Sequence, residues 1–252
     1  MIAHSGEQLC YFISDLHLAS ANDAAFELFV QFAQQEALKA QHLYILGDLF
    51  EAWIGDDAPT DSLQPILSRL RRLSDNGTQL YIMHGNRDFL LGDQFTKSIG
   101  AKLLPEYTVI NLFGTSTLLL HGDSLCTDDA AYQEFRAQVR DANWQQEFLS
   151  QPLASRRAYA EQARGKSGEY KAQVEKDIMD VNDDDVTATM ARYQVQQMIH
   201  GHTHRPAVHH STVGSRTCVR YVLGDWSDNA LIVRATHKQT ALIQYSLSGF
   251  AE

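Results

Sequence analysis

Short apolar runs recur along this chain, and each stops abruptly in polar residues, giving the blocks FISDLH, YILGDLF, YIMHGNRD, LLLHGD and MIHGHTH. Between the first three lie stretches with helical spacing, AAFELFVQFAQQEAL and DSLQPILSRLRRLSDNG. Strand and helix signals in alternation predict parallel strands joined by crossover helices. Asn76-Gly77 predicts a helix stop before the third strand. TVINLF and TLLLHG flank Gly114-Thr115 and predict a hairpin. From Ala207 onward VHHSTV, RTCVRYVL, NALIVRA and TALIQYSL predict further strands, so two stacked sheets are expected rather than one.

The stretch between His121 and His200 differs, with helical patterning and polar connections. Charge reverses within it: Arg136 to Lys176 carries +3, whereas the rest of the chain carries −13. Trp144, Phe148, Leu149, Leu153 and Tyr159 are interleaved with the basic residues and fit one face of short helices. By composition alone this is an ordinary solvated excursion. The run Asp183-Asp184-Asp185 predicts the cap of a helix reaching to about Gln197.

The 252 residues, 44% of them hydrophobic, suffice for one large core. A formal charge of −10 opposes a surface built to hold nucleic acid by its phosphates, so no nucleic-acid partner is expected. Cys10, Cys126 and Cys218 form no C-x-x-C pair, and no cleaved signal opens the chain, so buried reduced thiols in a cytoplasmic protein are expected. No apolar stretch approaches the roughly 20 residues of a spanning helix.

The chemistry sits where the runs end. Asp15, His17, Asp48, Asn86, His121, His202 and His204 are seven potential metal ligands, each placed where a strand should give way to a loop, which is where open α/β sheets carry their sites. On an extended segment Asp15 and His17 would share a side and reach one ion. His202 and His204 have the same spacing, although a turned GHTH loop would let them serve two neighbouring ions. Asp48 is the simplest bridge. Mixed His, Asp and Asn donors suit Mn, Fe, Zn or Co better than Ca or Mg. Two such ions activate a water and clamp a phosphoryl group, which predicts hydrolysis of a phosphoester or phosphoanhydride.

Together DLH, GDLFEAW, GNRDF, HGD and GHTH resemble the signature of the calcineurin-like metallophosphoesterases, over Ile13 to about Trp226. The resemblance implies a four-layer αββα sandwich of two mixed sheets and a dinuclear centre. Asp15, His17, Asp48 and His204 would hold one metal, and Asp48, Asn86, His121 and His202 the other, with Asp88 orienting the loop behind them. Most members carry histidine after the asparagine, where this chain has Arg87. A guanidinium cannot serve as general acid, but it can neutralise charge on phosphate, which suits a phosphate leaving group and favours a pyrophosphate bond. Catalytic roles therefore fall on Asp48, Asn86 and Arg87.

GNRDF, HGDSLCTDDAAYQ, IMDVN and IHGHTHRPAVH are similar to the lipid A branch of that family. This implies hydrolysis of UDP-2,3-diacylglucosamine to UMP and 2,3-diacylglucosamine 1-phosphate (lipid X) with two Mn ions, by a peripheral protein at the cytoplasmic side of the Gram-negative inner membrane. It also implies a single domain over residues 1–252 with a helical cap for acyl chains inserted at 127–190. Substrate contacts carried over are Asn86, Arg87, Asp129, Ser167 and His202; Lys171 could reach a phosphate, and Val174 could not. Asp129 reads equally as N-terminal charge on a helix. Trp144 and Arg156 are expected at the membrane face of the cap. His84 and His200 should pack near the site, Glu51 and Trp53 shape a loop, and His4, His42, His209, His210 and His237 are surface or structural. A generic phosphatase or cyclic-nucleotide phosphodiesterase on the same site, and a scaffold without turnover, are the competing readings; the complete ligand set weighs against the scaffold, and activity on soluble nitrophenyl phosphates would separate the phosphatase.

Overall fold

Strands β1 (Ile2–His4) and β2 (Leu9–Ile13) lead to helix α1 (Ala24–Gln35) in the computed structural model, which describes residues 1–20, 24–58, 61–173 and 178–250. The expected alternation continues through β3 (His42–Leu46), α2 (Gln64–Asp75), β4 (Gln79–Met83), α3 (Asp93–Ile99) and β5 (Ala101–Leu103). After β6 (Thr108–Leu112) and β7 (Thr115–Leu119) come α4 (Ala130–Arg140), α5 (Ala142–Ser150), α6 (Leu153–Gln173) and α7 (Asp183–Tyr193). The chain ends in β8 (Gln197–His200), β9 (Ala207–Val213), β10 (Arg216–Val222), β11 (Asn229–Thr236), β12 (Thr240–Ser246) and β13 (Gly249–Phe250).

These strands form two mixed sheets, one ordered β13-β12-β11-β2-β3-β4-β5 and the other β1-β6-β7-β8-β10-β9. Within them β2, β3 and β4 run parallel, as do β7, β8 and β10. The central strands are apolar without alternation because both faces are covered. Tyr11, Ile13, Leu43, Ile45 and Ile82 join a core with α1, α2 and α3. Phe12, Tyr44, Tyr81 and Met83 point the other way and pack with Leu112 and Leu119 of the second sheet. Val186 and Met190 of α7 complete that second core, giving an αββα sandwich. Phe12, Tyr44 and Tyr81 occupy one register across three strands, with ring centroids 4.8 and 4.6 Å apart and interplanar angles of 9°. Each stacked pair adds about 0.5–1.5 kcal/mol beyond burial.

Three local expectations shift. The β6–β7 turn is Phe113-Gly114, with Leu112 paired to Thr115, because both turn residues adopt positive φ (52° and 93°) as a two-residue hairpin loop demands. The cap of α7 is Asn182, whose side chain accepts from the amides of Asp184 and Asp185; the three aspartates form the first turn, where the helix dipole favours them. That helix ends at Tyr193, with Gln194 left-handed (φ 53°), so Gln197 already belongs to β8. The three cysteines are buried and unpaired, and no described helix is long and apolar enough to cross a membrane.

Candidate metal centre

All seven predicted ligands leave the C-terminal ends of five strands: Asp15 and His17 after β2, Asp48 after β3, Asn86 after β4, His121 after β7, and His202 and His204 after β8. The backbone there is not extended. Asp15 (φ 56°), His17 (49°), Asp48 (53°), His202 (70°) and His204 (52°) are left-handed, a conformation costing a non-glycine residue about 1–2 kcal/mol. The Asp15 and His17 pair therefore converges by a turn and not by strand alternation. The segments are locked to one another: Asp15 N donates to Gly47 O (3.1 Å), His17 N to Asp48 O (3.0 Å), and Gly201 N to His121 O (2.8 Å). Close approach also requires glycine at two points. A Cβ on Gly85 would lie 2.1 Å from Asp48 Oδ1, and one on Gly201 2.1 Å from Ser14 Oγ.

Each carboxylate has one oxygen pinned by the protein and one turned inward. Asp15 Oδ2 accepts from Ser14 Oγ (2.5 Å) and His202 N (2.9 Å), leaving Oδ1 buried, unpartnered and 3.5 Å from His204 Nε2. Asp48 Oδ1 accepts from Arg87 N (2.7 Å), while Oδ2 lies 3.8 Å from His17 Nε2 and 3.7 Å from His121 Nε2. Asp48 thus faces both halves of the cluster. On one side His17 Nε2 and His204 Nε2 stand 3.2 Å apart. On the other, Asn86 Oδ1 lies 3.0 Å from His121 Nε2 and 2.9 Å from His202 Nδ1. The turned GHTH loop sends its two histidines to different halves.

This donor set fits divalent metal. His121 Nδ1 donates to Leu46 O (2.8 Å), so in the neutral ring Nε2 presents a lone pair toward another acceptor, the Asn86 oxygen. Two imidazole nitrogens aimed at each other, two acceptors face to face, and an orphaned buried carboxylate oxygen all call for positive charge between them. Asp15, His17 and His204 form one group whose donor atoms lie within 4.8 Å of one another, and Asp15, Asp48 and His121 another. Burial pushes the Asp48 carboxyl up to about 6, with His121 and His17 opposing. Burial would also raise Asp15, but His204 and His121 hold it below the ordinary carboxylate range. For His17 and His121, burial is overcome by the surrounding carboxylates, and both imidazoles are raised.

The supporting layer was only partly legible. Asp88, fully buried, accepts from the amides of Gly85 (2.8 Å) and Asp48 (3.2 Å) through Oδ1 and of Leu49 (2.8 Å) through Oδ2, stitching two ligand loops together. Glu51, expected only to shape a loop, has Oε2 3.3 Å from His17 Nδ1 and Oε1 3.7 Å from Arg87 Nη1. Asp123, two residues past His121, escaped the sequence reading although HGD contained it. It is buried and accepts from Arg136 Nε (2.8 Å) and Tyr132 Oη (3.1 Å). His84 is tied to Leu91 O (2.7 Å) and His200 to Gly201 O (2.9 Å), both beside the site. Among the remaining histidines His4 and His42 are buried and structural, whereas His209, His210 and His237 are exposed.

A cavity of about 530 Å³ opens from Asn86 and Arg87 and runs between the loops after β3 and β4 and helices α4, α5 and α6. Its walls include Trp53, Phe89, Phe135, Trp144, Phe148 and Tyr159. Ser167 lines it as well, beside Arg164, Lys166 and Tyr170. Asp129 does not: it caps α4 by accepting from Tyr132 N (2.9 Å) and receives the Tyr170 hydroxyl (2.7 Å), joining α4 to α6. The side chain of Lys171, and Val174 altogether, lie outside the described residues. Trp144 and Arg156, expected on an exposed face of the cap, instead pack inward. Trp144 stacks on Phe148 at 5.0 Å, and Arg156, 2% exposed, pairs with Asp57. Arg136 and Arg140 are likewise engaged with Asp123, leaving Arg157, Arg164 and Lys166 as the exposed cations of this segment among the described residues.

Residues 10–206 match the family model described as calcineurin-like phosphoesterase. A protein of Xanthomonas axonopodis pv. citri named UDP-2,3-diacylglucosamine hydrolase is 46% identical over 243 residues, spanning 94% of this chain and 98% of its own. One of the same name from Stenotrophomonas maltophilia is 47% identical over 230 residues, 88% and 93% of the two chains. Among solved structures, vacuolar protein sorting 29 from Cryptosporidium parvum superposes with a TM-score of 0.49 at 14% identity, covering 96% of this chain and 92% of that one.

Proposed function

Because this chain belongs to the calcineurin-like phosphoesterase family and is a hydrolase, we propose that it cleaves the pyrophosphate bond of UDP-2,3-diacylglucosamine, giving UMP and lipid X with two Mn ions. The observation that carries this reading is the continuity between the seven-donor cluster and the aromatic cavity, which meet at Asn86 and Arg87. A substrate with a diphosphate at one end and acyl chains at the other matches that polarity. When bound, the two ions supply an activated water and neutralise charge during in-line attack at phosphorus.

The chain's own residues would do the rest. Asp15, His17, Asp48 and His204 would hold one ion and Asp48, Asn86, His121 and His202 the other, with Asp48 common to both. Arg87, its backbone fixed on Asp48, offers a permanent cation to the diphosphate and no proton, consistent with a phosphate leaving group. Helices α4 to α6 would act as the cap expected at residues 127–190, with Ser167 and the exposed Lys166 at its polar margin and His202 reaching substrate from below. We further place the protein peripherally on the cytoplasmic side of the inner membrane, as its lipid substrate requires, with exposed Leu149 and Arg157 as contacts.

Incubation of the purified protein with UDP-2,3-diacylglucosamine and Mn should release UMP at a rate far above its action on nitrophenyl phosphate. Comparable rates on the two substrates would refute the lipid assignment in favour of a general phosphatase.

A further inference from the structure

Glu51 stands at a junction of three elements. It follows β3 in the loop that carries Asp48, three residues on, and is 29% exposed. One oxygen, Oε2, lies 3.3 Å from Nδ1 of His17, whose other nitrogen faces Asp48 and His204. The second oxygen, Oε1, has Arg87 Nη1 at 3.7 Å and Arg164 Nη1, from helix α6, at 4.0 Å. A ligand loop, the Arg87 guanidinium and helix α6 thus meet on one carboxylate.

Each contact has a separate consequence. A carboxylate 3.3 Å from the outer nitrogen of a ligand imidazole, a charge contact without hydrogen-bond geometry, favours the proton on that nitrogen and leaves the inner lone pair for metal. Two guanidiniums sharing one oxygen are held close together despite their mutual repulsion, on the wall of the cavity that Asn86 also lines. The same helix reaches that loop again near its N-terminus, where Arg156 donates to Ile54 O and pairs with Asp57.

On the reading of the preceding subsection, we infer that Glu51 is a positioning residue. It sets the metal affinity of the His17 side of the centre and holds Arg164 beside Arg87, so that both cations face the diphosphate. It touches neither the reacting phosphorus nor the water.

The test uses Glu51→Gln and Arg164→Ala in the full chain. Metal-stripped protein is titrated with Mn, and lipid hydrolysis is then followed at saturating Mn. Glu51→Gln should weaken Mn binding at one of two sites by about 10- to 100-fold and raise KM for the lipid nucleotide. Arg164→Ala should raise KM while leaving Mn binding within about twofold of wild type. Equal Mn affinity in Glu51→Gln and wild type, or equal loss in both variants, would overturn the inference. Should Glu51→Gln fail to fold, Glu51→Asp carries the same thresholds, because it retracts the carboxylate from all three partners. If the wild type binds two Mn yet releases no UMP, the proposed function falls, while the titration still decides the role of Glu51.

Discussion

Replacing Arg156 with alanine should loosen the cap and leave the metal centre alone. The guanidinium is buried, yet it belongs to α6 and reaches across to the loop after β3: Nη1 donates to Ile54 O (2.6 Å) and Asp57 Oδ1 (2.8 Å), and Nε to Gln151 O (3.1 Å). Truncation would strand two carbonyls at about 1 kcal/mol each. The ion pair adds about 0–1 kcal/mol, because Asp57 is 59% exposed and solvent screens it. The total of about 2–3 kcal/mol corresponds to a shift of roughly 30- to 150-fold in the equilibrium between seated and detached α6. Hydrogen exchange is the direct assay: amides of α5 and the first half of α6 should exchange faster by about that factor, with β2, β3 and β4 unchanged. KM for the lipid nucleotide should rise, and turnover of nitrophenyl phosphate should not change. Unaltered protection in α5 and α6 would refute the assignment of Arg156 as the cap's anchor.

His121→Ala and Asp48→Ala should each lower Mn-dependent hydrolysis by more than about a hundredfold, exceeding the loss typical of residues behind a metal's ligands, as measured by UMP release. Gly85→Ala forces a methyl against Asp48, so bound Mn measured by mass spectrometry should drop well below that of wild type. Metal removal should lower the melting temperature, since ions bound only by the folded state stabilise it. Burial, with His42 adding to it, lowers the His4 imidazole to about 4, below the 6.5 of an unfolded chain. The unfolded state then binds the extra proton, so this contribution to stability is intact above pH 6.5 and is lost as pH falls toward 4. Denaturant titrations of His4→Phe should show a shallower fall over that window than wild type.

The sequence displayed the ligands because each ends an apolar run, and strand ends are where a parallel sheet exposes side chains to one common edge. It could not display the left-handed backbone at five of them, since aspartate and histidine adopt that region in only a minority of their occurrences and tertiary contacts decide which. Arg136, Arg140 and Arg156 looked like a solvated basic face. Asp57, the partner of Arg156, is 99 residues away in sequence, and Asp123 lies outside α4, 13 residues before Arg136, so helical spacing pairs neither and only folding brings these charges together. Glu51 and Asp123 were nearer to view, each within three residues of a ligand and acidic, a position that should prompt a search for charge supporting the site. The Phe113-Gly114 turn and the Asn182 cap were missed by one residue each, because local chemistry, and not hydrophobic period, decides such boundaries.

The claim beneath all of this is that seven side chains from five strand ends hold two cations. Anomalous diffraction at the Mn edge, from crystals grown with Mn, tests it most directly. Two peaks are predicted, one among Asp15, His17, Asp48 and His204 and one among Asp48, Asn86, His121 and His202. A single peak elsewhere, or none, would contradict it.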